Sequence, residues 1–126
     1  MDNQELIHYR KKLGLTQKEL ARLLAVSLKA VHSYEQGWRN IPENVARQVL
    51  FLVHHSHPRA GKKGPCWTKT RCPEQRKQNC PAWRFQTGDL CWFITGTLCQ
   101  GKAHKSWSEK IEQCKGCPIF QPLCDF

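Results

Sequence analysis

Residues 15–37 read LTQKELARLLAVSLKAVHSYEQG, and the order of polar and apolar positions in this stretch decides the fold of the first part of the chain. Thr16 followed by Glu19 is a capping box: the hydroxyl satisfies a free backbone N–H at a helix start while the carboxylate reaches back to the cap. A helix is therefore expected from Gln17 to about Leu24, with Leu20, Leu23 and Leu24 at helical spacing. Ala21, beside Leu20, leaves room for a second helix to approach. The pattern breaks at Ala25-Val26-Ser27, where Val26 is apolar enough to tuck into the angle and Ser27 can cap a second helix, Leu28 to Gln36. Gly37 stops it, since glycine accepts the left-handed backbone found just past helix ends.

Two short helices joined by so tight a turn form a helix-turn-helix, whose second helix enters the DNA major groove with its N-terminal residues toward base edges. Residues 3 to about 54 resemble the Cro/repressor-like (XRE) helix-turn-helix family. The resemblance rests on Leu15-Thr16-Gln17, Glu19-Leu20-Ala21, Val26-Ser27 and Glu35-x-Gly37. It departs at Ala25, where the family usually has glycine; alanine in a left-handed turn costs on the order of 1 kcal/mol without preventing it. The resemblance implies a sequence-specific transcriptional regulator that binds double-stranded DNA as a homodimer, on half-sites about one helical turn, roughly 34 Å, apart.

Carried over residue by residue, the resemblance implies that Gln17 meets a phosphate through its side chain and backbone N–H, a contact that sets register without reading sequence. Lys29, His32 and Ser33 are expected on the exposed side of the second helix, toward bases, and Leu28 against a thymine methyl. Arg39 and Asn40, just past the helix, are expected on the DNA backbone. Ala30, Val31 and Tyr34 face inward.

The remaining helices of an all-α domain of four or five helices, residues 1–55, are legible around this pair. Asp2 or Asn3 can cap a first helix through about Leu13, with Leu6, Ile7 and Leu13 inward and Arg10, Lys11 and Lys12 outward. Pro42 suits a helix start. The run from Glu43 to His54 is apolar on more than one face, so it closes the core or also forms a dimer seam, and a fifth helix would have to fit within it or be missing.

Composition agrees with a nucleic-acid partner. The chain carries 20 Lys+Arg against 10 Asp+Glu, a net +10 in 126 residues, which raises affinity for phosphate backbones in a salt-dependent way. No apolar run is long enough to span a membrane and no signal-peptide pattern is present, so the expected location is the cytoplasm, with no membrane partner. HHSHPRAGKKGP, from His54 to Pro65, has no apolar periodicity and reads as a linker, placed at residues 56–65, whose Arg59, Lys62 and Lys63 can add phosphate contacts. His54, His55 and His57 are better read as dipole-favoured residues near a helix end than as metal ligands.

Residues 66–126 hold all eight cysteines: Cys66, Cys72, Cys80, Cys91, Cys99, Cys114, Cys117 and Cys124. A unit this small with few aliphatics buries little and usually needs cross-links. Disulfides are disfavoured in the reducing compartment of a DNA-binding protein. Eight thiols are twice the four wanted by a tetrahedral zinc ion or by one four-iron, four-sulfur cluster. Only Cys114-Lys-Gly-Cys117 has the C-x-x-C spacing of a zinc knuckle, which weakens the zinc case. Three cysteines precede proline and two precede tryptophan, features suited to iron–sulfur ligation and to shielding a cluster from water. Trp67, Trp83, Trp92 and Trp107 are expected to form a mini-core.

These residues resemble the two-CW cysteine-rich module of bacterial and archaeal signalling and regulatory proteins, often from anaerobes. The resemblance spans Cys66 to Phe120. It rests on Cys66-Trp67, Asn79-Cys80-Pro81-Ala82-Trp83, Cys91-Trp92, Gly96-Thr97-Leu98-Cys99-x-Gly101, Lys110 and Cys114-x-x-Cys117, with Cys124 beyond it. It implies a sensory or regulatory attachment, small and irregular. The expected function is a regulator whose module binds an iron–sulfur cluster or metal and senses redox state; the alternative is a structural zinc module for dimerisation or partner recruitment. No Ser-His-Asp set, phosphate-cradling glycine loop or paired carboxylates support an enzyme or a small-molecule substrate, and Asp89, Glu109 and Glu112 read as solvated or capping acids.

Overall fold

The computed structural model describes residues 1–56, 71–88, 90–99, 103–117 and 119–120. The linker residues 57–65, together with Cys66, Trp67, Asp89, Gly101 and Cys124, lie outside the described residues. The chain divides between residues 57 and 58 into two compact units. Among the described residues all regular structure is helical, with no strand.

In the first unit α1 (Asn3–Lys12) starts on Asp2, whose carboxylate accepts the Glu5 N–H at 2.8 Å. Both halves of the capping box open α2 (Gln17–Leu24): the Glu19 N–H donates to Thr16 Oγ1 at 3.1 Å and the Thr16 N–H to Glu19 Oε1 at 3.5 Å. The helix ends on Ala25, which adopts the left-handed turn, φ +54°, despite its Cβ. Ser27 caps α3 (Leu28–Glu35) by accepting the Ala30 N–H at 3.0 Å, and Gly37 follows at φ +78°. Gln36, expected inside the helix, is its C-cap. Pro42 precedes α4 (Glu43–Ser56) and its carbonyl accepts the Ala46 N–H.

The second and third helices pack on each other, and α1 lies against α3 and α4. Leu6, Leu20, Val31, Val45, Val49 and Val53 are buried almost completely, each contributing roughly 1.5–3 kcal/mol through removal of apolar surface from water. Val45, Val49 and Val53 recur at i, i+4 and i+8 with no breaker between them, so residues 43–56 are one continuous helix. Of the four or five helices expected, four are present among the described residues of this unit. Arg10, expected outward with Lys11 and Lys12, instead turns toward α3, where it meets a buried carboxylate.

The second unit contains α5 (Glu74–Asn79), α6 (Pro81–Arg84), a 3-10 turn (Cys91–Phe93) and α7 (Trp107–Cys114). Prolines stand at the start of both short helices, Pro73 and Pro81, where a missing N–H costs nothing. Ser106 caps α7 by accepting the Glu109 N–H at 3.2 Å. Trp92 is fully buried at the centre, 5.6 Å from the ring of Phe120, and Trp107 Nε1 donates to the Trp92 carbonyl at 2.9 Å. Trp83, expected in the same mini-core, is only half-buried and lies under the Lys77 ammonium, 4.1 Å from its ring centre.

Candidate nucleic-acid interface and cysteine-lined cavity

The N-terminal half of α3 presents Leu28, Lys29 and His32 to solvent, Leu28 with 49 % of its surface exposed. Arg39 and Asn40 are exposed beyond Gly37. Ser33 departs from its expected exposed position: it is only 8 % accessible. It lies three residues from buried Ala30, on the same side of the helix, and the chain folds back there, with the Trp38 N–H donating to the Ser33 carbonyl at 3.0 Å.

Gln17 also differs from expectation. Its side-chain amide is directed at the Glu35 carboxylate instead of outward. Its backbone N–H, at the first position of α2, has no intrahelical acceptor and is the part of Gln17 suited to a phosphate. Glu35 is 4 % exposed and also takes Arg10 Nε at 2.5 Å, while Arg10 Nη1 donates to the Leu15 carbonyl at 3.0 Å. Asn3 adds a bond to the Glu35 carbonyl, 3.3 Å. The network ties the start of α1, the turn before α2 and the end of α3 together, which fixes the angle at which α3 is presented.

Sequence reasoning missed Trp38. Its indole is 70 % exposed and meets His32 edge-on, ring centres 5.4 Å apart. The guanidinium of Arg39 stands 5.4 Å from the centre of the Tyr34 ring. An exposed aromatic beside exposed basic residues, following a glycine at a helix end, was the available signal.

In the second unit, Cys72, Cys80, Cys91, Cys99, Cys114 and Cys117 all line one cavity of about 430 Å³. These are all the cysteines among the described residues. Ala82, Trp92, Ile119 and Phe120 supply apolar wall. Cys80 Sγ accepts the Leu98 N–H at 3.3 Å. The ammonium of Lys110, fully buried, donates to Thr97 Oγ1 and approaches Cys99 Sγ at 3.7 Å. Among the described residues no three His, Cys, Asp or Glu side chains converge closely enough to hold one metal ion. The thiols share a space without meeting at a point.

Burial pushes the Cys114 thiol up from the ordinary 9.0 to about 11; Lys110 pulls it down, and Cys99 and Cys117 add to the rise. The thiolate is the nucleophile, so alkylation of Cys114 in the metal-free chain should keep accelerating up to about pH 11. A plateau already reached near pH 9 would show a solvated thiol instead. The unfolded chain releases this proton first, so the unit should also lose stability as pH climbs from 9.0 toward about 11.

No helix among the described residues is long and apolar enough to cross a membrane. Neither a curated protein nor a solved structure matches the chain. Residues 6–48, from α1 into α4, match the family model described as Helix-turn-helix, and with α2, its left-handed turn and α3 in place the first unit is a DNA-binding helix-turn-helix domain.

Proposed function

We propose that the protein is a sequence-specific transcriptional regulator of the XRE type, cytoplasmic and dimeric on DNA, whose second unit holds an iron–sulfur cluster or metal among its cysteines and reports redox state or metal supply to the DNA-binding unit. The observation that carries this reading is the pairing, in one chain, of a helix-turn-helix unit with a cavity lined by six cysteines. In this reading Lys29 and His32 read bases, Leu28 touches a thymine methyl, and the Gln17 N–H, Arg39 and Asn40 contact phosphates; the exposure of Leu28, Lys29, His32, Arg39 and Asn40 supports it. Ser33 is left out of the reading set because it is buried. Cys66 and Cys124 complete the set of eight candidate ligands. A purely structural zinc module is the second reading, and it rests on one knuckle-type spacing alone, the C-x-x-C at Cys114 and Cys117. The role assigned to the protein is regulatory, without catalysis.

Two measurements test the proposal. Lys29→Ala should relax discrimination at particular base positions by about 1–3 kcal/mol, whereas Arg39→Ala should weaken cognate and scrambled sites alike and lower the salt dependence. Equal binding of every site by both variants and by the parent chain would remove α3 as the reading element. Protein purified without oxygen should carry iron with sulfide, or zinc. Chain that carries neither, with its module folded and its thiols titratable, sinks the cofactor reading and leaves a cysteine-rich interaction surface.

A further inference from the structure

The least expected group in the molecule is the Lys110 ammonium. It lies in α7 with 0 % exposure, in the wall of the cysteine-lined cavity. Its partners are the Thr97 hydroxyl and, at 3.7 Å, the Cys99 sulfur, and among the described residues no carboxylate is in ion-pair range. Burying an ammonium is costly unless an anion compensates it. Among the described residues that line the cavity, the only anionic chemistry on offer is that of sulfur.

We infer that the cavity takes a polynuclear iron–sulfur cluster in preference to a single zinc ion, and that Lys110 is its built-in counter-charge and sulfur hydrogen-bond donor. This deepens the cofactor reading above and rests on it. A structural zinc ion needs four donors at about 2.3 Å from one centre, and no three described donors converge in that way. A cavity of about 430 Å³ is instead in the range of a ligand pocket. A cluster brings its own iron and sulfide, so its thiolate ligands are spread around a volume, and six cysteines line this one. With four thiolates it carries net negative charge, which a fixed cation in an apolar wall offsets. Hydrogen bonds to sulfur and nearby charge set the reduction potential. A one-electron reduction adds negative charge, so the Lys110 ammonium favours the reduced state and its loss makes reduction harder.

The test uses the full chain, reconstituted without oxygen with ferric iron, sulfide and a thiol reductant, and in parallel with zinc alone. The wild-type chain is expected to take up iron and sulfide in equal amounts, with broad visible sulfur-to-iron charge-transfer absorption and a measurable potential. Lys110→Met is expected to shift that potential to more negative values, or to lose iron faster to a chelator; Lys110→Arg, which keeps the charge, should stay close to the wild type. Thr97→Val, which removes the hydroxyl that orients the ammonium, should shift the potential in the same direction by less, and serves if Lys110→Met does not fold. Zinc uptake without iron and sulfide uptake overturns this inference while leaving the broader metal reading in place. Uptake of neither metal overturns both. A Lys110→Met cluster with wild-type potential and wild-type iron retention removes the role of Lys110.

Discussion

Glu35→Ala should destabilise the helix-turn-helix unit by about 3 kcal/mol, the low end of the range for breaking a buried ion pair. The carboxylate is almost fully buried and receives Arg10 Nε and the Gln17 amide, so one side chain on α3 holds groups from both α1 and α2. Alanine leaves the Arg10 guanidinium, itself only 17 % exposed, without its anion. The low end applies because Arg10 keeps its bond to the Leu15 carbonyl and can swing partly to water. Glu35→Gln, which preserves shape and some hydrogen bonds, should cost less, and added salt should change either value little because the pair is shielded from solvent. Urea unfolding followed by helical circular dichroism measures the difference. A loss below about 1 kcal/mol for Glu35→Ala would mean the network behaves as an exposed ion pair. Since the same network sets the presentation of α3, DNA affinity should fall with stability, without a change in which base positions are discriminated.

The helices of the first unit were legible because their boundaries are chemically marked. Thr16 with Glu19, Ser27 and Gly37 each do one local job, and each does it in the structure. What escaped was long-range. Glu35 sits four residues after Val31, so helical spacing alone places it on the buried face. Its partners, Arg10 and Gln17, are 25 and 18 residues away in sequence, and nothing local announces them. Reading Arg10 as an outward group follows from treating polar side chains as solvent-facing by default, whereas the outward side chain of Gln17 is what the family resemblance implies. The resemblance also puts Ser33 on the exposed side, yet this side chain is small enough to lie under the returning chain at Trp38.

The second unit shows the same limit more sharply. Trp107, Lys110, Ile111 and Cys114 recur at i, i+3, i+4 and i+7 along α7 and all four are buried. The pattern of a core-facing stripe was therefore present in the sequence, with a lysine at one of its positions. The cysteine spacings could not reveal a common cavity, because it is assembled by the junction of α5 and α6, the 3-10 turn, the Thr97–Cys99 segment and α7. Segments so short have no hydrophobic periodicity to read, and their placement is set by tertiary packing.

That packing is centred on Trp92, and Trp92→Ala should remove about 3–5 kcal/mol from the second unit, the range for deleting a buried aromatic. The indole is fully buried against Phe120 and forms part of the cavity wall. Trp107 Nε1 bonds to the backbone carbonyl of residue 92, so the substitution leaves that bond's acceptor in place and isolates the packing contribution. A unit of roughly 60 residues has only a few kcal/mol of net stability to lose, so the variant module should unfold near room temperature. In a thermal melt its transition should fall by more than about 12 °C, at 4–8 °C per kcal/mol for a domain of this size. The helix-turn-helix unit is compact in its own right and should keep its own transition and its intrinsic binding to an isolated DNA half-site. On the cofactor reading proposed above, iron uptake should fail together with the packing, because part of the wall that carries the thiols is lost with the indole. A Trp92→Ala chain whose second transition moves by only a few degrees would show that the module is held by its cysteine ligation and not by its aromatic core.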